Sequence, residues 1–302
     1  MVFTKKTGNS FRLPKFYTFV AQNPNLMQVK ERGIVLIPID FTEQSLLAVK
    51  QSYNLAKYTH SKLVILHVYS KTGQERYDEL TKLVKQTESE SGLVPVEFMN
   101  VKGDIYTETD RVAEEIKATL IVVGLESHMK FKDIFGGSAS KLIRKAPCPV
   151  ITIRGKEHRD GCENILLPLD LSRESREKVD IAVQFAKYFG ASIRILSVFS
   201  PNDLAYENQL LAYAHQVKQF IKGKNISCTN KSIASDHIAE TVVEYANKIE
   251  ADLVMIMNKP DLSIKEFFSG TDTQHIVDIS NIPVMTVNPM KRESMNHFGT
   301  GF

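Results

Sequence analysis

The chain has 302 residues, 43% of them hydrophobic and 24% charged, and its formal net charge is +3. This length favours two domains, and this composition is typical of a globular protein with a core, which excludes a largely disordered chain. No apolar run approaches the roughly 20 residues of a membrane helix, so we expect no membrane segment and a cytoplasmic location.

The N-terminal segment 1–32 is predicted to be a basic arm. Residues 1–30 contain Lys5, Lys6, Arg12, Lys15 and Lys30 and no acidic residue. An arm of this kind contacts nucleic acid or an acidic partner in some proteins, but short basic termini are more often simply solvated. We therefore expect no nucleic-acid partner.

The rest of the sequence contains one internal repeat with a constant offset of 130 positions. The alignment pairs GIVLIPIDFTEQS (33–45) with NILLPLDLSRES (164–175), 55–70 with 185–200, and 96–100 with 226–230. It places Pro38 over Pro168 and Asp40 over Asp170. Chance similarity of apolar patterns does not explain one offset across three separate segments, so we infer a duplication.

Each repeat alternates short apolar runs with longer segments of helical period. In the first repeat the predicted strands, in chain order, are IVLIPI, KLVILHV, PVEFMNV, TLIVVG and PVITI. The segment between the first two predicts an amphipathic helix with Thr42 as its N-cap and Glu43 in its first turn. Almost continuously apolar runs are typical of parallel strands that are covered on both faces. The sequence therefore predicts an α/β protein with two tandem, doubly wound, Rossmann-like domains, each built on a five-stranded parallel sheet.

The predicted domain boundaries follow the repeat. After the basic arm (1–32), the first repeat covers 33–155, a linker covers 156–162, the second repeat covers 163–290, and a C-terminal tail covers 291–302. Doubly wound sheets bind ligands beyond the carboxyl ends of their strands, at the topological switch point. We therefore look for site residues at the ends of the predicted strands.

Asp40 is the first candidate, because it directly follows the first predicted strand. Its carboxylate can accept hydrogen bonds from an adenine amino group or a ribose hydroxyl. An aspartate that only caps the next helix is the structural alternative, although Thr42 already suits that role. The backbone around Val68, near the end of the second strand, is expected to form a wall beside Asp40.

A glycine-rich segment is the second candidate. Gly124 ends the fourth predicted strand, and Gly137 and Ser138 stand where the next helix begins. Glycines let an anion approach the backbone closely, and the Ser138 hydroxyl and the first-turn amides can donate to it. The same residue types also serve turn geometry without a ligand, and no Walker A, Gly-x-Gly-x-x-Gly or Gly-x-Ser-x-Gly motif is present. A phosphate cradle and a plain turn both stay open here.

Taken together, these motifs resemble the universal stress protein family. The resemblance rests on strand-Pro-x-Asp in each repeat, on His67-Val68, and on the pattern Gly-x-x-Gly-x9-Gly-Ser/Thr before a helix and a closing Pro-Val strand. It covers roughly 33–153 and 163–288, so the chain resembles a tandem member. The resemblance implies a stress-response or signalling protein that binds ATP or AMP in its first repeat, with Mg²⁺ or Mn²⁺ as a bridging ion. The nucleotide-binding positions that it implies are Pro38, Asp40, Val68, Gly124, Ser127, Gly137, Ser138 and Ala139.

The sequence also departs from that pattern. Ser127 stands where the family has its second glycine, and its side chain is expected to hinder a close phosphate. In the second repeat Met257 and Pro260 replace both leading glycines, and Pro260 also lacks an amide donor. We therefore expect the second repeat to bind nucleotide poorly or not at all and to serve as a structural partner.

The resemblance further implies that the last strands, PCPVITI and IPVMTV, pair so that the repeats form an intramolecular pseudo-dimer. A homodimer of the tandem chain and unknown protein partners stay open. No grouping of nucleophile, base and orienting residue marks the strand ends, so we expect at most slow ATP hydrolysis. The alternative functions are an interaction scaffold that binds no nucleotide and a weak ATPase.

Overall fold

The computed structural model describes residues 32–92, 94–125, 143, 145–155, 161–172, 175–258 and 270–289. Four of the predicted site residues, Ser127, Gly137, Ser138 and Ala139, lie outside these residues. Among the helices that are described, none is long and apolar enough to cross a membrane.

The first repeat forms strands where the sequence predicts them, and a helix follows each of the first three strands. These elements are β1 (Ile34–Ile39), α1 (Glu43–Thr59), β2 (Lys62–Tyr69), α2 (Tyr77–Ser91), β3 (Val96–Lys102), α3 (Ile105–Glu115), β4 (Leu120–Gly124) and β5 (Val150–Ile153). All five predicted strands are confirmed, because runs rich in valine and isoleucine suit the pleated, buried strand.

The second repeat follows the same order. Its elements are β6 (Asn164–Leu169), α4 (Ser175–Phe189), β7 (Ser192–Phe199), α5 (Leu204–Lys222), β8 (Cys228–Ala234), α6 (Ile238–Lys248), β9 (Leu253–Met257), α7 (Gly270–Ile279) and β10 (Val284–Val287). The helix after the second strand differs most in length, since α5 has 19 residues and α2 has 15.

Helix α1 begins as predicted. Thr42 is its N-cap, and the Thr42 hydroxyl accepts a hydrogen bond from the backbone amide of Ser45 at 3.3 Å. The residues of α1 that face the sheet include Ala48, Ser52 and Ala56, which are all buried. Because these side chains are small, the helix backbone can approach the strands closely.

The described residues form two compact units, and the first contains residues 32–125 together with 155 and 161. Its strands lie in the order β3-β2-β1-β4, and all neighbours are parallel. Since β1 lies between β2 and β4, the chain moves to one side of β1 and later returns to the other. The end of β1 is therefore a topological switch point.

The second unit contains residues 145–154 and the described residues from 162 onward. Its strands lie in the order β5-β10-β9-β6-β7-β8. Strand β5 runs antiparallel to β10, with Thr152 opposite Val284, and the other strands are parallel. The predicted pairing of the two last strands is present, and it makes this sheet mixed rather than wholly parallel. Pairing with β10 stabilises the short strand β5, because its backbone groups on that edge gain hydrogen-bond partners.

The cores lie on the central strands. Leu36, Ile37 and Ile39 of β1 and Leu166 and Leu167 of β6 are fully buried. The outermost strand β3 contains both buried and more exposed residues, and the outermost strand β8 is largely exposed. This difference is the one expected between central strands covered on both faces and edge strands.

Candidate functional site

Three of the predicted site residues lie at the carboxyl edge of the first unit's sheet. Asp40 follows β1, Val68 is the penultimate residue of β2, and Gly124 is the last residue of β4. Since β1 lies between β2 and β4, the fold brings these three strand ends side by side at the switch point. Pro38 lies within β1, where it is buried and paired with Leu66.

Pro38 limits the hydrogen-bonded ladder between β1 and β4. The Ile34 carbonyl accepts a hydrogen bond from the Thr119 amide on the β4 side at 2.9 Å. Alternate residues of a strand face the same neighbour, so Pro38 also faces β4, but it has no N–H to donate. The paired register stops at Leu36 opposite Ile121. The last residues of β1 and β4 are therefore unpaired near the carboxyl edge, where ligands of this fold lie.

The Asp40 side chain is exposed and already ordered. Its Oδ1 accepts hydrogen bonds from the Thr42 hydroxyl at 2.6 Å and from the Thr42 amide at 3.0 Å. Partial desolvation raises the pKa of Asp40, but the hydrogen bonds from Thr42 and Ser45 outweigh it, so the pKa lies below its ordinary value of 3.8. Asp40 is therefore an ionised acceptor at neutral pH that also supports the start of α1.

An aromatic cluster, which we define as Phe41, His67 and Tyr69, lies beside Asp40. The ring centroids of Phe41 and His67 are 5.5 Å apart, and those of His67 and Tyr69 are 6.5 Å apart. The Arg76 guanidinium lies over the Phe41 ring, 5.0 Å from its centroid. Phe41 has a φ of 66°, a left-handed conformation that costs a side-chain-bearing residue about 1–2 kcal/mol. Its neighbours must therefore hold this loop in place.

Hydrogen bonds from β2 and β3 supply part of that support. His67 is 6% exposed, and its Nδ1 lies 3.0 Å from the Asn100 Oδ1. Asn100 in turn donates from its Nδ2 to the Glu75 carbonyl. Because Glu75 directly precedes Arg76, this chain of contacts holds the backbone from which the Arg76 side chain extends over Phe41. The residue after Asp40 therefore presents an aromatic ring with a guanidinium over it.

The segment after β3 adds Tyr106, at the start of α3, which the sequence did not suggest as a site residue. Burial raises the pKa of Tyr106, and the nearby carboxylates of Asp104 and Asp40 raise it further. Helix α3 packs on β2 and β1 and so carries Tyr106 towards the switch point. The available signal was Asp104, an aspartate two residues after the end of β3. Within the described residues, no group of three or more His, Cys, Asp or Glu side chains is placed to hold a metal ion.

Gly124 has a packing role. A Cβ atom at this position would lie 2.1 Å from the Gln44 carbonyl oxygen and 2.8 Å from the Ser45 amide nitrogen. The absence of a side chain therefore lets the first turn of α1 pack directly on the end of β4. The contact of Gly124 with a phosphate stays a prediction beside this structural role.

The corresponding edge of the second unit is covered by its own side chains. Asp170 is 4% exposed, and its Oδ1 accepts hydrogen bonds from the Ser172 amide at 2.9 Å and from the Ser172 hydroxyl. Val198 and Met257, which correspond to Val68 and Gly124, are 3% and 2% exposed. Their counterparts in the first unit are partly exposed.

Lys178 is a further difference between the two switch points. It is 3% exposed, and its Nζ donates to the Pro168 carbonyl at 2.5 Å. The ladder between β6 and β9 stops at Leu166 opposite Val254, two residues before Pro168, as it does before Pro38 in the first unit. Position 48 of the first repeat, at the same offset, holds the small Ala48. A lysine therefore reaches the carbonyl of the second proline, whereas the first repeat has no side-chain donor at that position.

Comparison with known proteins gives one family for both repeats. The model of the universal stress protein family matches residues 31–154 and 161–288. A universal stress protein of Methanocaldococcus jannaschii is 28% identical over 138 residues, which are 40% of this chain and 81% of that protein.

A solved structure shows the same fold. A universal stress protein from Archaeoglobus fulgidus aligns with a TM-score of 0.67 at 17% identity, over 85% of this chain and 96% of its own. Another universal stress protein from Archaeoglobus fulgidus, solved in complex with dAMP, aligns over 41% of this chain and 97% of its own, with a TM-score of 0.34 and 14% identity. The bound dAMP is an observation on that protein.

Proposed function

This chain belongs to the universal stress protein family, whose model matches both of its repeats, and we propose that its first repeat binds an adenine nucleotide. The second repeat then serves as a structural partner without a nucleotide of its own. The role of the whole protein in this proposal is stress response or signalling.

The exposure of Asp40, against the burial of Asp170, carries the proposal. A carboxylate that is ionised, ordered by Thr42 and open to solvent can accept hydrogen bonds from a ribose or from an adenine amino group. Asp170 has the same position in its repeat, but it is buried and bonded to Ser172. Only the aspartate of the first repeat is therefore accessible to a ligand at its strand end.

The surroundings of Asp40 suit the rest of a nucleotide. The Arg76 guanidinium lies over the Phe41 ring, so a purine would stack on this pair, and the charge of Arg76 attracts phosphate. The unpaired ends of β1 and β4 are the place that we assign to the base or the ribose, at the switch point. We assign the phosphates to Gly124 and to Ser127, Gly137, Ser138 and Ala139, with Mg²⁺ or Mn²⁺ between phosphate and carboxylate.

Isothermal titration of the full chain with ATP and Mg²⁺ tests this assignment. We expect one site per chain and a loss of affinity of about tenfold or more in Asp40→Asn, because a charge-assisted hydrogen bond becomes a neutral one. Asp180→Asn is the matched control, since Asp180 is exposed on α4 of the second repeat. Gly137→Val is expected to abolish ATP binding, because its side chain would block the phosphates. Equal affinity in Asp40→Asn and Asp180→Asn would remove Asp40 from the site.

An interaction scaffold without nucleotide is the second candidate, and one observation favours it. Gly124 and Asp40 both have structural roles, the one in packing against Gln44 and the other in holding Thr42. If the intact protein shows no heat with ATP or AMP, with or without Mg²⁺ and Mn²⁺, the scaffold is the better account. Release of inorganic phosphate, measured alongside, separates a binding protein from a weak ATPase.

A further inference from the structure

A cavity of about 600 Å³ lies in the second unit. Its walls are Leu171 and Ser172 of the β6–α4 loop, Arg176 at the start of α4, and the face of α5 from Gln209 to Gln216. This volume falls in the ordinary range of small-molecule sites. Asp170 and Met257 are not among these described wall residues, although Asp170 lies beside the cavity, hydrogen-bonded to Ser172.

The described residues of the walls combine hydrogen-bond donors with one positive charge. Arg176 supplies a guanidinium, Gln209 and Gln216 supply amides, and Ser172 supplies a hydroxyl. No carboxylate is among these described wall residues. The walls are therefore suited to a negatively charged group rather than to a cation.

Comparison with the first repeat shows how the cavity differs in sequence. At the offset of 130 positions, Arg176 corresponds to Leu46, and Tyr213 of the cavity wall corresponds to Leu83. In the first unit α1 and α2 pack against each other. Replacing two leucines by arginine and tyrosine puts polar groups where the first repeat has apolar ones.

The α5 face also lacks two charges that the α2 face carries, one negative and one positive. Gln209 corresponds to Glu79 in the first repeat, so an acidic residue has become a neutral amide. Ala212, also a wall residue, corresponds to Lys82 and leaves a small apolar surface. Arg176 is thereby the charged residue of the described cavity wall, and the apolar surfaces of Leu171 and Ala212 lie within the same cavity.

Two buried hydroxyls, Ser175 Oγ and Tyr213 Oη, lie beside the cavity. Tyr213 interacts with the side chains of Ser175 and Arg176, although neither contact has full hydrogen-bond geometry. Burial raises the pKa of Tyr213, while the nearby Arg176 partly lowers it. Two hydroxyls and a guanidinium therefore meet at this wall.

We propose that this cavity is a second ligand site, for a small organic anion whose carboxylate or phosphate pairs with Arg176. The apolar part of the ligand lies against Leu171, Ala212 and the ring of Tyr213. The arginine fork matches the two oxygens of a carboxylate or a phosphate, which explains why arginine replaces the leucine of the other repeat. This inference does not depend on nucleotide binding by the first repeat.

Titrations of the ¹⁵N-labelled full chain, followed by NMR, test the site with three probes. Phenyl phosphate and benzoate carry the two anionic groups on one apolar ring, and benzyl alcohol is the uncharged analogue. We expect saturable shifts of the Ala212 amide and of the Gln209 and Gln216 side-chain amides with at least one anion. The stronger of the two anions identifies the group that the site prefers. No saturable shift with either anion, or equal affinity for benzyl alcohol, would overturn the proposal.

Two variants with the same change of charge show whether Arg176 is responsible. Arg176→Leu restores the residue of the first repeat and is expected to weaken anion binding about tenfold or more. Lys222→Leu removes one positive charge from the exposed last turn of α5, outside the cavity, and is expected to bind as the native chain does. Equal weakening in both variants would show general charge attraction and would contradict the site. Thermal unfolding of each variant confirms that it is folded, and Arg176→Lys serves as the variant that keeps the charge but lacks the fork.

Discussion

The two switch points of this chain share a proline and an aspartate but differ in the residues around them. In the first unit Asp40 is exposed, Ala48 is small and Gly124 ends the fourth strand. In the second unit Asp170 is buried, and Lys178 and Met257 are buried around it. The shared motif therefore does not make a site by itself, because the residues on the next helix and the neighbouring strand decide whether its aspartate is accessible.

The largest expected effect is the substitution Gly124→Ala. Its new Cβ would lie 2.1 Å from the Gln44 carbonyl oxygen, so the start of α1 or the end of β4 must move. We expect a loss of about 3 kcal/mol in the free energy of unfolding, at the upper end of overpacking effects. Urea unfolding followed by circular dichroism measures it.

Gly223→Ala is the matched control, because a Cβ there meets its nearest atoms at 3.4 Å, in ordinary contact. It is expected to change the free energy of unfolding by no more than about 0.5 kcal/mol. Similar stability of the two variants would show that the contact between Gly124 and Gln44 is not needed.

The next effect concerns Lys178, the feature that most separates the second switch point from the first. Lys178→Met keeps most of the side-chain volume but leaves the Pro168 carbonyl without this donor. An unsatisfied buried acceptor costs about 1–3 kcal/mol, and we expect a loss of that size in urea unfolding. Lys187→Met, at an exposed position of the same helix, should be nearly neutral. A native-like Lys178→Met protein would mean that the bond between Lys178 and Pro168 adds nothing to stability.

The smallest effect is expected at Thr42, which links the first aspartate to its helix. Thr42→Ala removes an N-cap, which costs about 1 kcal/mol, and also one of the hydrogen bonds that lower the pKa of Asp40. We therefore expect the pKa of Asp40, followed by ¹³C NMR of its carboxyl, to rise towards 3.8.

The same variant predicts a change in acid stability. A carboxyl whose pKa is lower in the folded state contributes stability above its unfolded pKa and loses it as the pH falls through the folded value. The native chain should therefore lose more stability than Thr42→Ala as the pH falls below about 4. Thr81→Ala, at an exposed position within α2, is the control and should leave both the pKa of Asp40 and the acid limb unchanged.

Much of the fold followed from local pattern. The five strands of the first repeat, the N-cap at Thr42 and the duplication could be predicted because hydrophobic period, capping residues and a constant offset are properties of neighbouring positions. The placement of Asp40, Val68 and Gly124 at one edge followed as well, since parallel strands end on the same side.

The side chains that surround each site could not be predicted from the sequence in the same way. Gly124 was predicted from sequence as a place for an anion to approach, and the structure adds that the Gln44 backbone packs against it. Tyr106 lies near the first site at the start of α3, Arg76 comes from the loop before α2, and Lys178 reaches the Pro168 carbonyl from within α4. Contacts of this kind join positions whose spacing carries no periodic signal.

The sequence by itself determined the two α/β repeats, their strands, and the pairs Pro38 with Pro168 and Asp40 with Asp170, because these depend on residue type and local order. The tertiary structure decided that Asp40 is open while Asp170 is buried, and that β5 pairs with β10. The physical reason is that exposure and close packing depend on which side chains fill the space beside a residue, and that space is formed only when distant segments come together.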